Sequence, residues 1–207
     1  GLGPDSDKDI RIRMQLDMLG LKYHYISNYP GSNEARLAVE RNEIQLYPES
    51  MPTYRATIEP MVREGRIIPL WHDPLDDGVK FSASPDAAGI PAPTYTDFLL
   101  QQKGALPTGQ LWDAFRLVNS VGTVFLRVVA LPPNAPSEAR EALRAAFAAV
   151  NDDAEFRAEA EKIVKFIPRY LVDDRTEKLY REKLTPNPEV AAFMHDYIEA
   201  GRASMGK

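Results

Sequence analysis

Between residues 25 and 45 the sequence YISNYPGSNEARLAVERNEIQ passes from a strand run rich in Tyr and Ile, through a Pro-Gly-Ser-Asn turn and a short amphipathic helix, straight into the next strand run. The same alternation continues over residues 1–71, and strands alternating with short helices predict a small α/β lobe with a largely parallel sheet. The turn itself has chemical meaning. A strand-to-helix turn presents several backbone N–H groups with no intrahelical acceptor, together with the positive end of a helix dipole. An anion suits that position.

Other elements follow from caps and periodicity. Asp5 or Ser6 caps a helix over 5–20 that stops at Gly20, and its strict apolar alternation from Ile10 to Met18, itself a strand signal, places apolar residues on two opposed faces. Lys22–Ser27 is a strand. The helix at 32–41 buries Ala35 and Ala38, with Asn42 in the left-handed position after it, and Glu43–Tyr47 is the next strand. Ser50 caps a helix over 51–64 that Pro60 kinks and Gly65 ends, and Ile67–Trp71 follows as a strand. His72–Pro93 is a long Asp-, Pro- and Gly-rich loop. Helices are predicted near 94–103 and 108–120, then a central strand over Thr123–Leu131, a helix over 136–150, another at 153–163, a strand over Phe166–Leu171, a helix capped by Asp173 and a last one opened by Asn187-Pro188.

Composition narrows the function. With 207 residues the chain can bury a sizeable core as one large domain or two small ones. No apolar run approaches the ~20 residues of a membrane span, so the chain is not membrane-embedded. A net charge of −5 without a Lys/Arg cluster argues against nucleic acid as a partner. The absence of cysteine excludes disulfides and thiol chemistry. No nucleophile elbow, GxGxxG or phosphate loop is present, no cofactor is implied, and the chain reads as non-catalytic. His72, Asp73, Asp76 and Asp77 are the only group suggestive of a metal, and their loop reads first as a solvated acidic turn. The charge-rich helices 137–163 and 174–204 read as solvated faces.

The run Gly1-Leu2-Gly3-Pro4-Asp5-Ser6, then Leu19-Gly20, Tyr29-Pro30-Gly31-Ser32-Asn33-Glu34-Ala35, Leu37-Ala38, Arg41-Asn42-Glu43-Ile44 and Glu64-Gly65-Arg66-Ile67-Ile68-Pro69-Leu70 resembles the periplasmic receptors of tripartite tricarboxylate transporters, the Bug-type solute-binding proteins. Leu131-Pro132-Pro133-Asn134-Ala135-Pro136 and Asp153-Ala154-Glu155-Phe156 extend the likeness. Gln45 and Asn42 depart from it, where the family usually has Asp and Gly.

The resemblance implies a type II periplasmic-binding-protein flytrap, with a mostly parallel sheet flanked by helices and a small carboxylate metabolite clamped between two lobes. This chain then corresponds to a fragment lacking the N-terminal part of the first lobe, with 1–80 as the second lobe and 81–207 as the return segment and C-terminal helices. A periplasmic location and a membrane permease as partner are implied with it. So is a set of ligand-binding residues: Gly31, Ser32 and Asn33 at the turn, Tyr29 beside it, Gly3 and Ser6 in a second strand-to-helix turn, and Glu49 and Ser50 after the next strand. The plainer reading of Gly31–Asn33 is an ordinary helix start, that of Gly3–Ser6 a frayed terminus, that of Glu49–Ser50 a helix cap and that of Tyr29 a wall residue. Two further functional readings stand beside the receptor: a metal-assisted hydrolase using the His72 and Asp73 cluster, and a sensor or interaction module derived from the receptor fold.

Overall fold

The computed structural model describes residues 1–125 and 127–204. Helix α1 (Asp7–Leu19) begins after Ser6 and ends at Gly20, whose φ of 73° is the left-handed stop the sequence predicts. Helix α2 (Ser32–Glu40) follows Gly31, and Asn42 (φ 58°) turns the chain out of it as expected. The predicted helix at 51–64 is broken into α3 (Met51–Thr53), a π-helical Tyr54–Ile58 and α4 (Glu59–Arg63). Pro60 explains the break, because it has no N–H to donate and its ring crowds the carbonyl four residues back, so the preceding turn widens.

A hairpin of β1 (Leu75–Asp76) and β2 (Phe81–Ser82) lies within the long loop. After it come α5 (Tyr95–Lys103), α6 (Gln110–Gly122), α7 (Ser137–Val150), α8 (Ala154–Val164), α9 (Asp174–Lys183) and α10 (Pro188–Ser204). Side-chain caps set four of these starts. Thr94 Oγ1 accepts from Asp97 N, Asp153 Oδ1 from Phe156 N, Asp173 Oδ1 from Thr176 N and Asn187 Oδ1 from Val190 N, at 3.1, 2.7, 2.8 and 2.8 Å.

The core joins α1, α5, α6 and α10 through Ile10, Met14, Tyr95, Leu99, Trp112, Ala114, Phe115, Val118 and Val190. A run of rings crosses it, from Trp71 to Tyr95, Phe115, Trp112 and Phe81, with successive centroids 5.5, 5.3, 5.4 and 5.5 Å apart. Each such pair contributes roughly 0.5–1.5 kcal/mol beyond area burial.

α1 is buried on more than its apolar stripes, because Asp9, Arg11, Arg13 and Gln15 are buried too. Arg11 Nε lies 2.8 Å from Asp73 Oδ2, and Gln15 donates to Asp73 Oδ1 (2.7 Å) while accepting from Trp71 Nε1 (3.0 Å). Arg13 is held between the Tyr25 and Tyr197 rings, 5.0 and 4.5 Å from their centroids, and donates to Tyr197 O at 3.2 Å. Glycines make the room: a Cβ on Gly122 would stand 1.4 Å from Arg11 NH1, and one on Gly201 2.2 Å from Arg13 NH1.

The chain combines many helices with very little strand, and the expected mostly parallel sheet is corrected. Among the described residues the one sheet is the antiparallel pair β1–β2, with Leu75 opposite Ser82 and Asp76 opposite Phe81. The strands predicted over Lys22–Ser27, Glu43–Tyr47, Ile67–Trp71, Thr123–Leu131 and Phe166–Leu171 are not formed, and Leu126 lies outside the described residues. Nor is Thr123–Leu131 central: Val129 is 67% exposed and Val128 48%. The physical reason is that β-propensity measures the fit of a side chain to a paired, half-buried surface, and these runs have no ladder partner. Among the described residues, only an isolated parallel bridge, His72 with Thr94, marks a strand-like contact outside the hairpin.

Candidate functional site

At the start of α2 the first intrahelical bond is Ala35 N to Gly31 O, at 3.2 Å. The amides of Ser32, Asn33 and Glu34 therefore have no acceptor inside the helix, and Gly31 brings no side chain to cap them. Gly31 and Ser32 are half-buried and Asn33 is exposed. Around this turn the structure gathers side chains from three parts of the chain. Lys8, from the first turn of α1, donates to Ser32 Oγ at 3.2 Å and lies 3.4 Å from Glu49 Oε2. Arg36, on α2 itself, contacts Glu49 Oε1 at 3.0 Å and also donates to Asn33 Oδ1. Tyr47 OH donates to Ser32 Oγ at 3.1 Å, and its ring lies 5.6 Å from Lys8 Nζ.

Ser32, Asn33 and Glu49 are thus brought together with Gly31, through two cations that sequence reading did not single out. The side chains of Lys8, Arg36 and Glu49 keep only 17, 13 and 9% of their exposure. Burial, reinforced by the charges of Glu49 and Asp9, pushes the Tyr47 phenol above its ordinary value despite the opposing effect of its bond to Ser32. It remains a neutral donor at neutral pH. Lys8 did leave a signal: a cation in the first turn of a helix opposes the macrodipole, so an anionic partner nearby is needed to hold it there.

The remaining predicted residues are placed differently. Ser50 precedes α3, and its hydroxyl pairs with Thr53 Oγ1 at 3.1 Å. Gly3 is buried and gives its N–H to Asp9 Oδ2 at 2.9 Å, and Ser6 is the residue before α1 with its N–H on Gly3 O. Tyr29 is half-buried and its N–H meets Gly1 O at 3.2 Å. Asp9 is itself a focus of this region, since Tyr25 OH also donates to its Oδ2 at 2.6 Å while its Oδ1 is buried without a partner.

The four residues of the acidic loop go to separate partners. Asp73 meets Arg11 and Gln15, and Asp76 is clasped by Arg116 Nε and NH2 at 2.9 and 3.0 Å with Lys183 Nζ 3.6 Å away. Asp77 accepts from the amides of Val79 and Lys80, and His72 Nδ1 lies 3.4 Å from Asp73 O. Among the described residues no group of three or more His, Asp or Glu side chains is placed to hold a metal ion.

Two cavities lie away from the α2 turn. One of about 270 Å³ is lined by Val39, Glu40, Met61, Arg66 and Ile67. The other, about 380 Å³, opens between α7 and α9, where Arg144 is already paired with Asp174 and Glu177. Among the described residues no helix is long and apolar enough to cross a membrane. Comparison with protein-family models, with characterised proteins and with solved structures gives no match to this chain.

Proposed function

We propose that the chain is a non-catalytic solute-binding receptor that holds a small carboxylate at the start of α2. One observation carries the reading: the first-turn amides of Ser32, Asn33 and Glu34 lack intrahelical acceptors, Gly31 leaves them uncapped, and Lys8 and Arg36 stand beside them. A carboxylate there accepts main-chain hydrogen bonds while its charge meets two partly desolvated cations, and charge-assisted bonds of this kind are about twice as strong as neutral ones.

The sequence resemblance to the receptors of tripartite tricarboxylate transporters supports the same ligand class. It carries with it the periplasmic location, the membrane permease as partner and a two-lobed, type II flytrap architecture.

For binding, a thermal-shift screen against aliphatic mono-, di- and tricarboxylates, amino acids and aromatic acids is the direct test. A ligand at 100 times its Kd stabilises the fold by ~2.7 kcal/mol. The informative variant is Gly31→Val. Gly31 has extended backbone that any residue adopts, and an added Cβ meets only the far end of Glu34, with Oε2 at 2.9 Å. The variant is therefore expected to fold and to lose carboxylate binding, because its side chain blocks approach to the amides. Binding that survives Gly31→Val places the site elsewhere.

A further inference from the structure

The tip of the β1–β2 hairpin carries a chemically labile step. Asp77-Gly78 is the only Asp-Gly pair in the chain, and a glycine after an aspartate offers the Asp side chain a backbone nitrogen with no Cβ to hinder ring closure. Water reaches both residues: the Asp77 side chain keeps 42% of its exposure, and Gly78 is exposed with a φ of 88°. The hairpin nevertheless ties down both reacting groups. Gly78 N donates to Asp76 Oδ1 at 2.9 Å, and that carboxylate is itself buried and clasped by Arg116. Asp77 Oδ1 accepts from Val79 N and Lys80 N, both at 2.9 Å, and its Oδ2 lies 3.6 Å from Arg175. The Lys80 and Val79 amides, aided by the Arg175 charge, hold the Asp77 carboxyl below its ordinary value.

We propose that Asp77-Gly78 is a site of spontaneous aspartate isomerisation, which Asp76 keeps closed by holding the Gly78 N–H. In this reaction the Gly78 nitrogen gives up its proton and bonds to Asp77 Cγ, while the Cγ–OH bond of the protonated carboxyl breaks and releases water. The five-membered succinimide so formed then takes up a water. Cleavage at the Asp77 main-chain carbonyl leaves an isoaspartyl link through Cβ and Cγ, and cleavage at Cγ restores aspartate. Mass is unchanged and no oxidant or reductant is needed. Each native contact opposes one step: the bond to a buried anion keeps the proton on Gly78 N, and the bonds to Asp77 keep its carboxyl ionised, so that no hydroxyl is ready to leave. Reaction therefore waits for local opening of the tip. The isoaspartyl product adds a methylene to the main chain before Gly78, which draws its N–H away from Asp76 and loosens the hairpin from α6 and α9.

The experiment incubates the whole chain, D76A and G201A at neutral pH and follows isoaspartate at position 77 by electron-transfer fragmentation of the tryptic peptide 67–80, with the same peptide incubated free as reference. The parent should isomerise at least about tenfold more slowly than the free peptide, and D76A within about threefold of it. G201A, which disturbs Arg13 beside α10 instead, should stay at the parent rate. A parent that reacts as fast as the free peptide, or a D76A as slow as the parent, overturns the proposal. So does a G201A that accelerates as much as D76A, because the opening is then global and Asp76 guards nothing in particular. Should D76A fail to fold by circular dichroism, D76E, which keeps a charge for Arg116 and Lys183 but displaces it by one methylene from Gly78 N, must react faster than the parent by a smaller factor, and an unchanged rate overturns the proposal.

Discussion

Asp76 is the residue whose loss should be felt most sharply. Its side chain is fully buried, and it accepts from Arg116 Nε and NH2 at 2.9 and 3.0 Å and from Gly78 N at 2.9 Å, with Lys183 Nζ at 3.6 Å. These contacts fasten the β1–β2 hairpin to α6 and α9. Asp76→Asn keeps the shape, removes the charge and turns an amide donor toward the guanidinium or the ammonium. Breaking a buried pair from one side costs about 3–5 kcal/mol. Arg116 keeps 31% of its side-chain exposure and can turn partly to water, which places the expected loss near the lower end, about 3 kcal/mol. Against a total stability of ~5–15 kcal/mol that is a large share. Burial alone would raise the Asp76 carboxyl, but the Arg116 hydrogen bonds, the Gly78 amide and the two cations outweigh it and hold it below the ordinary carboxylate value. A depressed folded-state pKa means that the stabilisation is present above the unfolded value of ~3.9 and is lost as pH falls through the folded one. Parent and variant should therefore differ by about 3 kcal/mol at pH 7 and converge in acid. Urea unfolding followed by tryptophan fluorescence reads this directly, because Trp71 and Trp112 both pack into the core. A difference under about 1 kcal/mol at pH 7, or one as large at pH 3 as at pH 7, would refute the account.

Three further outcomes follow from named contacts. Gly201→Ala puts a methyl into the space filled by Arg13 NH1 and should lower stability by about 1–3 kcal/mol in thermal denaturation, reversing the usual gain of Ala over Gly in a helix. Asp173→Ala removes the acceptor of Thr176 N and should cost about 1 kcal/mol, whereas Asp173→Ser should recover most of it. Tyr25, Tyr95 and Tyr197 are all pushed above the ordinary phenol value, first by burial and then by neighbouring carboxylates, so they should escape ionisation in ultraviolet titration of the native protein near pH 11. Because these shifts are upward, the stability they contribute is intact below pH ~10 and is lost as alkali ionises the unfolded chain first.

Helix boundaries were largely legible in the sequence because they are local chemistry. Gly20 and Asn42 stop helices through left-handed backbone, and Asp173 and Asn187 start them by capping. The burial of Arg11 and Arg13 was not legible, since periodicity reads a charged residue as exposed unless its partner is known. Those partners are Asp73 and Tyr197, the second 184 residues away. The strand runs misled for a related reason: Val128 and Val129 have the composition of a central strand, but composition does not supply a neighbour to pair with. Within the candidate site, Ser32 and Glu49 could be named from their positions after strand runs. Lys8 left only the indirect signal of a cation in a first helical turn, and Arg36 left none, because their roles depend on α1 and α2 presenting one end each to the same carboxylate.

The clasp between Arg13 and Tyr197 also sets a schedule. α1 leaves the ribosome before α10, and Arg13 finds its carbonyl partner, and Ile10 and Met14 their contacts around Val190, only when α10 has been made. At ~5–20 residues per second, 184 residues correspond to roughly 10–40 seconds of synthesis. Throughout that interval α1 has an unfinished face that is part apolar and part charged. The charged part is an advantage while waiting, since Arg13 and Asp17 keep the exposed helix hydrated and discourage it from associating with neighbouring nascent chains.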